Sequence, residues 1–203
     1  MYKRYTHLLT LFLGLFLTIF CAAYAAAPIA VLKSAKNAET YQSQNIGTFD
    51  EDWQAFKRTL ESANLRYDVI PDADLNAAKL SQYKVLILPL LVDLPEAALA
   101  GINQFVSSGG KILVTDGGGS PSKSATSIDA LAGAGITNHN ATQDPQQLVW
   151  PRSGQNYQQD FAVGTLIAEV QSTAGSTQVA KWVDANGKET GTAISKSNGN
   201  IFL

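Results

Sequence analysis

Unbroken apolar runs alternate with amphipathic stretches through the first 138 residues, and this rhythm predicts strands and helices in turn. Val85-Leu86-Ile87-Leu88 and Ile112-Leu113-Val114 have no polar interruption, which suits strands buried on both faces of a parallel sheet. Between them, Leu94-Pro95-Glu96 opens a helix whose apolar positions are Ala97, Ile102, Phe105 and Val106. Gly109-Gly110 closes it, since glycine takes the left-handed conformation of a helix end at little cost. Upstream, Pro28 to Leu32 reads as a first strand and the polar stretch Lys33 to Gly47 as a long loop. Thr48 starts a helix with Glu51 at the capping-box spacing and with Trp53, Phe56, Leu60 and Leu65 on one face. Tyr67 to Ile70 is a second strand ended by Pro71, and Asp72 to Leu80 a short helix or turn. After Val114 a glycine loop leads to a helix starting near Ser127. The expectation is an α/β domain with a doubly wound parallel sheet of order 2-1-3-4.

Beyond about Asn138 the pattern changes to Asn, Gln, Thr and Gly with few aliphatics, until Phe161 to Val170 supplies another strand. From about residue 160 the chain reads as a β-rich antiparallel extension. Val179 to Val183 and Thr192 to Ile194 flank Asn186-Gly187, and Asn198-Gly199 precedes Ile201. Asn-Gly is a strong hairpin signal because a type I′ turn needs positive φ at both central residues. The chain stops within an apolar strand without a polar tail, and a domain truncated at its C-terminus is expected.

The first 25 residues change the picture of where the domain begins. Lys3 and Arg4 precede the apolar run Leu8 to Phe20, and Ala23-Tyr24-Ala25 offers a small-x-small cleavage site. Together these predict a signal peptide, an exported protein, and one domain over residues 26–203. The alternative is an uncleaved anchor, the only membrane contact expected. Cys21 lies within this segment, so the mature chain has no disulfide and no thiol. Without Lys3 and Arg4, 13 basic groups face 17 acidic ones, a formal charge of −4. That balance argues against nucleic acid and anionic membranes as partners, because both reward a basic patch.

Three segments, Tyr83 to Pro89, Phe105 to Gly110 and Lys111 to Gly118, resemble glutamine-amidotransferase-like, flavodoxin-like domains. The resemblance is specifically to the degenerate kind beside glycoside hydrolase barrels, such as the beta-galactosidase trimerisation domain. It covers residues 28 to 138 well and the remainder loosely. With its leader and the opening Ala30-Val31-Leu32-Lys33-Ser34, the N-terminal half is also similar to the front end of secreted bacterial and cyanobacterial glycosyl-hydrolase-like proteins. The resemblance implies a flavodoxin-like fold, a non-catalytic accessory role, and a hydrolase barrel or a homo-oligomer as partner. It implies no cofactor.

By the same resemblance Asp116 stands where true amidotransferases carry their nucleophilic cysteine. A carboxylate does not replace that thiolate, and His139-Asn140-Ala141 lacks the family's His-x-Glu pattern, so glutaminase chemistry is not expected. Asp116-Gly117-Gly118-Gly119-Ser120 still follows a central strand, where open α/β sheets bind ligands and glycines let backbone N–H groups approach an anion or a sugar hydroxyl. The plainer reading is a turn relieved of side chains. Asp93 and Asp116 fall at neighbouring strand ends, an arrangement that invites glycoside hydrolysis by a carboxyl pair; against it, Asp93 precedes Leu94-Pro95 as a helix cap would. Trp150, Tyr157 and Trp182 are either a stacking platform for carbohydrate or core. One mature histidine and no cysteine leave no metal site in prospect.

Overall fold

The computed structural model describes residues 27–118, 122–128, 136–152, 154–164, 166–170 and 175–202. Residues 1–25, for which a signal peptide is expected, lie outside them. The chain begins with strand β1 (Ile29–Leu32), followed by helices α1 (Ala35–Gln44) and α2 (Phe49–Ser62) and strand β2 (Tyr67–Ile70). A 3-10 turn (Asp72–Asp74) and the short α3 (Ala77–Leu80) lead to β3 (Val85–Leu91), α4 (Glu96–Ser107), β4 (Lys111–Asp116) and α5 (Lys123–Thr126). Seven strands complete the described chain: β5 (Ile136–Ala141), β6 (Gln146–Arg152), β7 (Gln155–Phe161), β8 (Leu166–Val170), β9 (Thr177–Asp184), β10 (Glu189–Ser197) and β11 (Asn200–Phe202).

These strands overturn the expected doubly wound, flavodoxin-like sheet. The main sheet is mixed and nine-stranded, in the order β2-β1-β3-β4-β11-β10-β9-β6-β7, and β5 and β8 form a separate two-stranded sheet. Strands β2, β1, β3, β4 and β11 run parallel, whereas β10, β9, β6 and β7 pair antiparallel. A doubly wound sheet needs a helical crossover at each parallel step. After β4 the only described helix is the four-residue α5, and the chain grows the sheet by hairpins instead. The hairpin region therefore continues the same sheet, beginning at β6 and not near residue 160. Strand β8 lies against β10, giving this half a sandwich-like second layer.

Alternation along the strands sets two cores. Ala30, Leu32, Leu86, Leu88, Ile112 and Val114 pack against Leu80 of α3 and Ala98, Ile102 and Phe105 of α4. Val31 and Ile87 face the other way, against Leu60 and Phe56 of α2. Strand β11 joins the halves: Ile201 and Phe202 register with Leu113 and Val114, and the Asn200 side-chain oxygen accepts from the Ile112 N–H at 2.9 Å.

Local expectations meet their own corrections. Residues 33–47 are not a loop, because Ser34 caps a helix there: its Oγ accepts from the Asn37 N–H at 2.9 Å. Thr48 does begin α2, but without a side-chain cap bond, and Leu65 lies beyond the helix end, 42% exposed. In α4 it is Ala98 that is buried, while Ala97 faces solvent. A short helix, α5, ends at Ser127, and the helix expected to start near Ser127 falls on residues 129–135, outside the described residues. The stretch 161–170 is divided between the end of β7 and β8. The turns at Asn186-Gly187 and Asn198-Gly199 connect β9 to β10 and β10 to β11.

Candidate functional site

The carboxyl ends of β1, β3 and β4, where the glycine loop begins, are held together by a polar network built mostly on α1. Strand β1 delivers the chain to Ser34, and the first two N–H groups of α1, Ala35 and Lys36, donate to Asp72 Oδ2 at 2.8 and 3.2 Å. A helix N-terminus attracts anions through its unpaired N–H groups and its dipole. Here the anion is the chain's own carboxylate, brought by the turn after β2.

One residue further, Asn37 is fully buried, and its Oδ1 accepts from Val92 N–H at 3.0 Å and Asp93 N–H at 2.7 Å. Those two groups leave β3 irregularly. Leu90 adopts a left-handed φ of 55°, the pairing with β4 slips between Leu88 and Leu91, and the Leu90 N–H turns to Thr115 Oγ1 at 2.8 Å. A side chain in place of the glycine at 117 would meet the Leu90 carbonyl oxygen at 2.6 Å and collide with Val92. The bulge and the start of the glycine loop thus pack backbone to backbone, and Gly118 follows at φ 77°.

Asp93 sits at this junction. Its Oδ1 accepts from the Leu94 N–H at 2.8 Å, its Oδ2 from Thr40 Oγ1 at 3.1 Å, and Lys36 Nζ lies 3.7 Å from Oδ2. Oδ2 thus ties α1 to the segment that enters α4, while Oδ1 closes on the N–H of the next residue. Asp116 ends β4 opposite Leu91, so the two aspartates lie at adjacent strand ends. Gly119 and Ser120 of the expected loop lie outside the described residues. Among the described residues no group of three His, Cys, Asp or Glu side chains is placed to hold a metal ion. No described helix is long and apolar enough to cross a membrane.

The aromatic residues separate. Trp182 is buried in the cluster with Ala180 and Ile194, and Phe161 meets it edge to face at 5.2 Å. Trp150 is partly buried against the same cluster, and Tyr157 is 58% exposed. Sequence reasoning missed Asn37 and Asp72, the two residues that organise this edge. Ser34 before Ala35-Lys36 was the available signal for the helix that carries Asn37. A shallow cavity of about 380 Å³ lies elsewhere, lined by Gln146, Gln147, Asp160 and Asp184 at one end of β6, β7 and β9.

Comparison with known proteins places this arrangement. No curated protein matches the sequence. Among solved structures, the beta-galactosidase from Bacillus circulans sp. alkalophilus is similar with a TM-score of 0.67 and 15% identity over 87% of this chain and 28% of that one. The beta-galactosidase from Rahnella sp. R3 is similar with a TM-score of 0.63, again at 15% identity over 87% of this chain and 28% of that one. A putative ThuA-like protein from Bacteroides uniformis has a TM-score of 0.59 at 14% identity, over 89% of this chain and 82% of that one. At these identities the likeness is one of fold, and the chain spans only about 28% of the length of the two beta-galactosidases. Residues 27–138, from the start of β1 into β5, match the beta-galactosidase trimerisation domain family, and the chain belongs to that family.

Proposed function

We propose that this chain is a non-catalytic association domain of a glycoside-hydrolase polypeptide, working through protein contact. Family membership over residues 27–138 carries the reading. The carboxyl edge of the parallel strands supports it: the N-terminus of α1 holds Asp72, and Asp93 spends both oxygens on Thr40, Lys36 and the Leu94 N–H. These are bonds that position elements. The partner is a second copy of the chain or a hydrolase barrel, and carbohydrate belongs to that hydrolase. Export through the leader is part of the same proposal, tested by N-terminal sequencing of the secreted product.

The test pairs sedimentation of the chain with an assay on aryl galactosides. Self-association without turnover is the expected outcome. Turnover that disappears in Asp116→Asn and Asp93→Asn would instead make the strand-end carboxylates a hydrolase site.

A further inference from the structure

The cavity at one end of β6, β7 and β9 lies in the antiparallel half, away from the Asp93–Asp116 edge. The strands set Asp160, Gln147 and Val183 side by side, since Gln147 pairs with Asp160 on β7 and with Val183 on β9. Alternation turns Leu148 and Trp182 toward the aromatic cluster and these three residues to the opposite face of the sheet. Val183 is only 5% exposed and gives the cavity an apolar floor. Gln146 and Asp184, the next register pair, also line it, and Gly187 leaves open space where a side chain would stand. The volume of about 380 Å³ falls in the range of roughly 300–1,000 Å³ in which small molecules bind.

Four polar side chains of the lining are each fixed through one atom while another stays unengaged. Gln147 donates its amide to Asp160 Oδ1 at 2.7 Å, which leaves Asp160 Oδ2 and Gln147 Oε1 as acceptors. Asp184 Oδ1 accepts from the Asn186 and Lys188 N–H groups, both at 2.9 Å, which leaves its Oδ2. Gln146 Oε1 accepts from Thr190 Oγ1 at 2.7 Å, which leaves the amide N–H groups as donors. Among the described residues none of these remaining atoms has a partner. Groups held in place before a ligand arrives lose little freedom when it binds.

The atoms that remain select the ligand. An anion would meet two carboxylates. A calcium ion takes six to eight oxygens, whereas Gln146 offers N–H, and among the described residues no three acidic or histidine side chains are grouped to hold a metal. An apolar molecule would leave the polar atoms unpaired. Hydroxyl groups both donate and accept, so they satisfy carboxylate oxygen and amide N–H alike, and the C–H face of a sugar ring covers Val183. We propose that this cavity is a saccharide-binding site. It goes beyond the association role, which assigns no saccharide to this domain, and does not depend on it.

Saturation-transfer NMR of the full chain with lactose, cellobiose and maltose tests it, because a shallow site binds weakly and the method reads weak binding directly. Transfer to the ring protons of at least one disaccharide is the expected result. Asp160→Asn and Asp184→Asn keep the oxygen that accepts the internal N–H bonds and put an amide donor where the free carboxylate oxygen stood. Each should therefore melt as the parent chain does and weaken the titration about tenfold. Tyr157→Ala, on the other face of β7, should leave the titration unchanged. Transfer to none of the three sugars overturns the proposal. So does transfer that survives both Asn variants, or that is lost in Tyr157→Ala instead, since the sugar then sits elsewhere. Binding of calcium chloride or putrescine that is lost in Asp160→Asn, with no transfer to any sugar, makes the cavity a cation site and overturns it as well.

Discussion

Asn37 is the residue on which the candidate edge most depends. Its Oδ1 satisfies two backbone N–H groups at the β3 bulge, in a place that water does not reach. Asn37→Ala would leave both donors buried and unpaired, a loss of about 2–4 kcal/mol readable as a lower urea midpoint. Asp72→Ala removes the carboxylate from the first turn of α1 and should cost about 1–2 kcal/mol. Tyr83 gives a pH signature. Burial, reinforced by the charge of Asp68, raises its phenol above the ordinary value of 10.0. The folded state thus keeps a proton that the unfolded chain releases, so the stability involved is complete below about pH 10 and declines as pH rises through the folded-state pKa. Thermal melts above pH 10 should show a smaller alkaline loss in Tyr83→Phe than in the parent chain.

Elements built on long apolar runs were legible in the sequence because burial on both faces leaves no room for polar positions: β1, β3 and β4 all read this way. Helix α1 was not legible, since Ala35–Gln44 turns a largely polar surface outward and buries Asn37, Thr40 and Tyr41. Its inward side is chosen for hydrogen bonding, and hydrophobic periodicity does not register that choice. The continuation of the sheet was hidden for a related reason. Nothing local to β11 states that three residues after Asn198-Gly199 will lie alongside β4, a pairing fixed by Asn200 across 88 positions. Asp93 and Asp116 were readable as neighbours from strand order, but the ties of Asp93 to α1 were not, because they depend on the unread helix. Packing between elements yields a prediction of its own. At Gly101 of α4 a Cβ would collide with the Leu75 carbonyl oxygen, so α4 rests directly on backbone. Gly101→Ala should destabilise by about 1–3 kcal/mol through overpacking, measured by chemical denaturation.

At the scale of the whole molecule, β11 makes one sheet of a parallel half and an antiparallel half. Shared strands couple the two, so they should unfold together. Trp53 reports on the first half, where its Nε1–H donates to the Leu32 carbonyl at 3.2 Å, and Trp182 on the second. Fluorescence melts of Trp53→Phe, which keeps Trp150 and Trp182 in the second half, and of the double variant Trp150→Phe/Trp182→Phe, which keeps Trp53 in the first, should give transitions of equal cooperativity, each shifted only by its own substitutions, while an added early transition in either would show halves that melt separately. Association through protein contact is the central claim, and sedimentation equilibrium of the chain across a wide concentration range tests it most directly. The account predicts a reversible, concentration-dependent rise in mass above that of one chain; the mass of a single chain at every concentration would contradict it.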